Sequence, residues 1–265
     1  MRHDRAKGRF ARLIAISVML VCGALAQANE RVIRVGTGDW IPYVDESRPD
    51  AGALGRLVTA IFEEAGYRVE ISFYPWGRNT HLLKDGALDA VLPYYCSEER
   101  QQFAHCSEPL VSGEMVFFHR TDMDFDWREM KDLSRYAIGA THHYFYGEAF
   151  EAAERSGLIK VQRTVRDDFN LRLLEMHRVQ LYPQDRAVGY AMIRAQFPPE
   201  QRALLTHHPR PLHVQPVHVL FHKGSMRGEH LLEVFNEGLQ KRRASGELQR
   251  LQAAILTGDP LGEDE

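Results

Sequence analysis

The sequence predicts an α/β protein made of two successive units, and three observations lead there. Short β-branched runs alternate with amphipathic stretches of helical spacing over most of the chain. The alternation stops at the acidic and aromatic segment TDMDFDW (121–127) and then begins again with the same grammar. At 265 residues the chain exceeds one typical domain yet is short for three.

Each element follows from its local pattern. RVIRV (31–35) reads as a first strand, and GTGDWIPY (36–43) as a loop rich in Gly, Pro and aromatic residues. Residues 54–65 carry apolar side chains at helical spacing and stop before Gly66, a C-terminal cap. A strand over 69–74, a helix within PWGRNTHLLKDG (75–86) and a strand over 87–94 complete a β-α-β-α-β order. That order implies a parallel sheet with its ligand crevice beyond the carboxyl ends of the strands. A strand over 115–119 precedes the linker. The second unit is predicted as strands over 136–140, 161–163 and 179–182, with helices over 146–156, 166–176 and 185–195. After FPPE (197–200) and HHPRPLHVQP (207–216) come a strand over 217–222 and two helices, 228–244 and 247–256, parted by Ser245-Gly246. No repeat of fixed period and no low-complexity tract is present in the sequence.

The N-terminus has its own logic. Arg2, Arg5, Lys7, Arg9 and Arg12 precede an apolar run over 13–25 and then Ala26-Gln27-Ala28, the order of a secretory signal: basic, apolar, small-x-small. Cleavage is expected after Ala28, with Ala26 as the alternative, giving an exported, periplasmic protein. Residues preceding Cys22 are poor for a lipoprotein signal. Residues 1–28 hold five of the 33 Lys and Arg and one of the 36 Asp and Glu, so the mature chain carries 28 cations against 35 anions, a net charge of −7 with His neutral. Clustered cations of the kind that neutralise nucleic-acid phosphates are missing from the pattern. Of three cysteines, Cys22 lies in the signal, leaving Cys96 and Cys106 as an even pair in an oxidising compartment. They read as a disulfide, with two buried thiols as the alternative.

The motifs, in order, resemble the family 3 periplasmic solute-binding proteins, the amino-acid-type receptors of ABC transporters. GDWIPY (38–43), PW-x-R (75–78), G-x-x-D-A (86–90), SEER (97–100), CSEP (106–109), RVQLYPQDRAVGY (178–190), and HVLFHKGS (218–225) followed by ASGELQRL (244–251) carry the resemblance over nearly all of 31–258. It implies a type II periplasmic-binding-protein-like fold: two α/β lobes with a mixed sheet in each, hinged by two crossovers near 118–121 and 212–216. Lobe 1 is then residues 29–119 together with 214–265, and lobe 2 is residues 120–213. A monomer, an inner-membrane ABC permease or a sensor as partner, and a small-molecule ligand are expected, with no cofactor and no enzymatic activity.

The same resemblance puts Arg100 where relatives hold a ligand carboxylate, and Asp185 where they receive an amino group. Tying Glu98, Glu99 or Glu108 is the bland alternative for Arg100, and an N-cap for Asp185. Two departures count against a free α-amino acid. Pro93, Tyr94 and Tyr95 stand where relatives place small or hydroxyl residues, and THHYFYG (141–147) stands where they place a Gly-Thr/Ser anion nest. Trp40, Tyr43, Trp76, Tyr94, Tyr95, Tyr144 and Tyr146 are expected around the crevice as walls for a flat ligand, with Arg78 or Arg100 meeting an acidic group and His142 nearby. Lobe packing is the alternative for several of these rings. His218 and His222 share a strand face yet sit roughly 13 Å apart, so no metal site is expected. A dehydratase-like enzyme on the same fold is the remaining alternative, with Asp185, His142 and Glu148 as candidate acid or base; no P-loop, HExxH or nucleophile elbow supports it.

Overall fold

The computed structural model describes residues 31–257. The expected signal segment lies outside the described residues. In chain order the first unit contains β1 (Val32–Thr37), α1 (Gly52–Glu64), β2 (Arg68–Phe73), α2 (Trp76–Lys84), β3 (Ala90–Tyr95), α3 (Glu98–Gln101) and β4 (Ala104–Cys106). The long strand β5 (Ser112–Arg120) leads to a 3-10 turn (Met130–Arg135), β6 (Ala137–Thr141), α4 (Glu148–Arg155), β7 (Lys160–Thr164), α5 (Asp167–Glu175), β8 (Tyr182–Asp185), α6 (Arg186–Gln196), α7 (Pro199–Arg202) and β9 (Leu205–His207). Strand β10 (His213–His222) then precedes α8 (Met226–Ala244) and α9 (Glu247–Thr257).

β1 lies between β2 and β3, parallel to both, as the β-α-β-α-β reading requires. β10 runs antiparallel beside β3 and β4, which makes the sheet mixed. In the second unit β6 and β7 are parallel, and β6 meets the residue just before β8 through the Gly139 N–H, which donates to the Leu181 carbonyl. β5 and β10 each belong to both units. Over Ser112–Met115 and His213–Pro216 they pair with each other; beyond that, β5 pairs with β8 and β9, and β10 with β3 and β4. Phe118, where the sequence places the first crossover, already pairs with Tyr182 and packs with Leu171, Leu174 and Ile193 in the core of the second unit.

Several element boundaries differ from the sequence reading. β10 starts at His213 rather than 217, because its first half is held by β5, a partner almost 100 residues away along the chain. β8 covers Tyr182–Asp185 rather than 179–182: Val179 and Leu181 are buried, but only an isolated bridge reaches Leu181, while the ladder with β5 starts at Tyr182. α4 begins after Gly147, whose φ of 92° suits glycine, so Tyr146 stays in the loop. β4, β9, α3 and α7, four residues or fewer each, lack the length for a periodic signal.

The two units repeat one device. The fourth residue of α2, Asn79, donates to the Thr37 and Tyr74 carbonyls, tying β1 to the end of β2. The fourth residue of α5, Asn170, donates to the Thr141 and Thr164 hydroxyls, tying β6 to β7. Gly36 and Gly139 admit these side chains; a Cβ there would lie 2.4 and 2.8 Å from the Asn79 and Asn170 amide oxygens. The carboxyl ends of both parallel sets are thereby fixed, and the loops leaving them face one another.

Candidate functional site

Those loops meet in an aromatic seam. Trp40 stacks on Tyr43 with ring centroids 4.4 Å apart, and Tyr95 meets Trp40 edge-on at 6.4 Å. Trp76, at the start of α2, packs edge-on against Tyr94 of its own unit at 5.4 Å and against Tyr144 of the opposite unit at 5.9 Å. Phe145 approaches Tyr95 at 6.5 Å. Trp40, Trp76, Pro93, Tyr94, Tyr95, Arg100, His143, Tyr144 and Phe145 enclose a cavity of about 40 Å³ between the units. Six of the seven predicted aromatic residues thus gather in the seam, where Tyr43 backs the wall from full burial. Tyr146 is also fully buried, but its hydroxyl accepts from the Thr141 N–H at 2.7 Å and it serves the core of the second unit.

Arg100 sits at the outer lip of this cavity. Its guanidinium lies over the Tyr94 ring at 4.9 Å and donates to the Tyr95 carbonyl at 2.9 Å and, across the seam, to the His143 carbonyl at 3.3 Å. No ion pair joins it to Glu98, Glu99 or Glu108 among the described residues. Burial lowers its pKa from the ordinary value, while the Tyr94, Glu99 and Tyr95 side chains act in the opposite direction. The Cys96–Cys106 disulfide, with Cα atoms 6.1 Å apart, closes the loop that carries Arg100.

Asp185 is fully buried and spends all its acceptor capacity within the protein. One carboxylate oxygen caps α6 by accepting from the Ala187 and Val188 N–H groups, so the N-cap reading holds. The other accepts from the Tyr43 hydroxyl at 3.1 Å and the Glu114 N–H at 3.0 Å. Burial raises its pKa to about 6, with these hydrogen bonds opposing the rise. Asp167, half-buried, is raised to about 6 by desolvation as well; it accepts from the Tyr144 hydroxyl and so fixes that ring against Trp76.

Two predicted site residues lie elsewhere. Arg78 is exposed on α2 and stacks over Tyr74 at 5.1 Å, because α2 turns that position away from the seam. His142 is exposed, and its N–H extends the β6–β7 ladder to the Thr164 carbonyl. The next residue, His143, with φ of 64°, is exposed as well but lines the seam, where its ring lies against Gly77. His213 was also hidden in the sequence: it stands on the shared stretch of β10, edge-on to Tyr95 at 5.4 Å. Its position in HHPRPLHVQP reads as loop, and only the pairing with Met115 turns it inward. Close approach at the seam depends on glycine. A Cβ on Gly77 would lie 2.7 Å from the His143 ring, one on Gly113 2.8 Å from the Asp185 carboxylate, and one on Gly147 2.9 Å from the His213 ring.

Outside Arg100 the seam opens into a second, wider space of about 800 Å³. Its walls include Lys84, Glu98 and Glu99 from the first unit and Glu148, Glu151, Glu154, Arg155 and Arg163 from the second. Arg163 pairs with Glu151 at 3.2 Å and with Glu154 at 2.6 Å. Among the described residues no group of three or more His, Cys, Asp or Glu side chains is arranged to hold a metal ion, and no helix is long and apolar enough to cross a membrane.

Sequence comparison matches residues 33–257 to the bacterial extracellular solute-binding proteins, family 3. No curated protein matches at a significant level. The fold is similar to that of an ancestral arginine-binding protein bound to arginine, 19% identical, with a TM-score of 0.72 over 85% of this chain and 98% of that one. It is similar to a histidine kinase sensor domain resembling periplasmic binding proteins, 24% identical, with a TM-score of 0.73 over 85% and 96%. An ancestral amino-acid-binding protein, a precursor of cyclohexadienyl dehydratase, is 18% identical, with a TM-score of 0.68 over 86% and 96%.

Proposed function

Because the chain belongs to the bacterial extracellular solute-binding proteins of family 3, we propose that it is an exported receptor that captures one small aromatic or heterocyclic solute between its lobes and releases it unchanged. The observation that carries this reading is the cavity walled by Trp40, Tyr95, Trp76 and Tyr94 of lobe 1 and by Tyr144 and Phe145 of lobe 2. Flat rings offer a flat ligand large contact area and edge or face electrostatics on every side. A free α-amino acid fits poorly, since Asp185 has no acceptor left for an ammonium group. Arg100 remains the one cation at the cavity and is the partner for an acidic substituent on the solute.

In this reading the hinge is the β5–β10 pairing at Ser112–Met115 and His213–Pro216. Lobe 1 holds the chain before it and after it, and lobe 2 the segment between. Closure buries the solute, and opening separates Trp76 from Tyr144 and Arg100 from His143. Delivery to an inner-membrane ABC permease is the proposed use. The likeness to a kinase sensor domain favours a second reading, in which the closed form is presented to a signalling partner.

Thermal unfolding of the mature chain, residues 29–265, against amino acids, aromatic acids, heterocycles and amines tests the proposal. A ligand at about 100 times its Kd adds ~2.7 kcal/mol and raises the midpoint by roughly 5 to 10 °C. Recovery of the added compound unaltered separates capture from turnover. A response confined to aliphatic amino acids overturns the reading.

A further inference from the structure

Two charged side chains stand at the boundary between the lobes, and the chain supplies a partner for each from the opposite lobe. Asp185, fully buried at the start of α6 in lobe 2, accepts from the hydroxyl of Tyr43 in lobe 1 at 3.1 Å. Arg100 of lobe 1 donates to the His143 carbonyl of lobe 2 at 3.3 Å. Each lobe thus gives one charge and one neutral partner. Between the two bonds Trp76 of lobe 1 meets Tyr144 of lobe 2 edge-on at 5.9 Å, and Asp167 holds the Tyr144 hydroxyl.

The contacts run from the hinge to the outer lip. A Cβ on Gly113, in the hinge stretch of β5, would lie 2.8 Å from the Asp185 carboxylate and 3.8 Å from the Tyr43 hydroxyl, so that bond sits beside the axis. The bond of Arg100 to His143 sits at the lip, where His143 is exposed and Arg100 half-buried. The two differ in strength. A donor to a buried carboxylate makes a strong, charge-assisted bond, whereas a longer bond within reach of water contributes less. Burying a carboxylate is costly unless donors surround it, and Tyr43 is the fourth donor to Asp185 after the Glu114, Ala187 and Val188 N–H groups. A hydrogen bond is lost once its heavy atoms are about 3.6 Å apart, so even a small rotation near the axis breaks this one.

We propose that the protein is self-latched: the closed arrangement of its lobes is the resting form before any solute arrives, held by Tyr43 on Asp185 at the hinge and by Arg100 on the His143 carbonyl at the lip. This rests on the receptor reading and its division into lobes, and adds that the solute enters and leaves through brief openings and does not drive closure. Tyr43→Phe removes the hydroxyl and keeps the ring stacked on Trp40. Arg100→Met keeps an apolar stem over Tyr94 and removes the donors.

The test is the distance between the lobes in the mature chain without added solute. Nitroxides on unnatural amino acids at Gln102 and Arg155, exposed on opposite walls of the outer space, leave the Cys96–Cys106 disulfide intact and report that distance by pulsed electron spin resonance. The parent is expected to give one short distance. Tyr43→Phe should raise the ratio of open to closed molecules about tenfold or more, Arg100→Met about threefold, and the double variant by about the product, seen as a second, longer distance. If the double variant does not fold, Tyr43→Phe alone carries the test. A parent that is mainly open without solute overturns the latch, and so do variants whose distances equal those of a closed parent. Neither result touches the receptor reading, which stands or falls by solute binding in the thermal panel.

Discussion

The inner cavity and the outer space are continuous along the same seam and share Arg100, His143, Tyr144 and Phe145, yet they are opposite in character. Of the nine residues around the inner cavity, Arg100 is the only one with a permanent charge, and rings from both lobes make up most of its wall. The outer space is twenty times larger and is lined by Glu98, Glu99, Glu148, Glu151 and Glu154 against Lys84, Arg100, Arg155 and Arg163. Water screens charges in such an open space, whereas the inner wall must satisfy or strand each polar atom it buries. Arg100 therefore marks the boundary where the seam changes from charged walls to packed rings.

The sharpest contrast is in stability. Trp40→Ala removes a buried ring stacked on Tyr43 and is expected to cost about 3–5 kcal/mol. Glu148→Gln, on the exposed wall of the outer space, is expected to stay within about 0.5 kcal/mol. Urea unfolding of the two variants measures both, and equal effects would abolish the distinction between a packed and an open region.

The boundary itself is breakable. Replacing both Cys96 and Cys106 by Ser frees the ten-residue span that carries Arg100; the loop-entropy model assigns about 2.5–3 kcal/mol to a closure of that length. Denaturant unfolding of the parent with and without reductant should show the same loss. A serine double variant as stable as the oxidised parent would detach the Arg100 loop from the integrity of the seam.

A pH-dependent effect sharpens the inner side. Burial lowers the pKa of His213 to about 4, against about 6.5 in an unfolded chain. Between pH 6.5 and 4 the unfolded chain takes up the proton first, so this contribution to stability is present above pH 6.5 and is lost as pH falls towards 4. The loss is about 3 kcal/mol at most. Asp167 and Asp185, both raised to about 6, work the other way: the cost of their buried charge is relieved as pH falls from 6 towards 4. Comparing the parent with His213→Phe isolates the histidine, and the variant should gain on the parent as the solution is acidified. A pH-independent difference between them would place His213 in contact with solvent.

The parts of this site that were legible in sequence are those fixed by short-range chemistry. Tyr94 and Tyr95 end a strand that an apolar run announces, and Trp40 follows the first strand in a loop whose Gly and Pro content is visible by eye. Strand ends of parallel units face a crevice whatever their partners, so aromatic residues there could be assigned to it. Arg78 and His142 were misplaced for a reason of geometry. A one-residue step reverses the direction of a side chain on a strand and turns it by about 100° on a helix, and His142 and His143 cannot be told apart until the φ of 64° at His143 is known.

Taken alone, the sequence determined the alternation of strands and helices, the even pair of cysteines and the supply of aromatic residues at the ends of the strands, because each depends on neighbours a few positions away. The tertiary structure decided the rest. The shared pairing of β5 with β10 turned His213 inward, the carboxylate of Asp185 was consumed by Tyr43 and three backbone amides, and Trp40 and Tyr95 were left with unpaired polar atoms. Those outcomes depend on groups up to about 140 residues apart meeting at a distance of a few ångströms, and no local pattern carries that information.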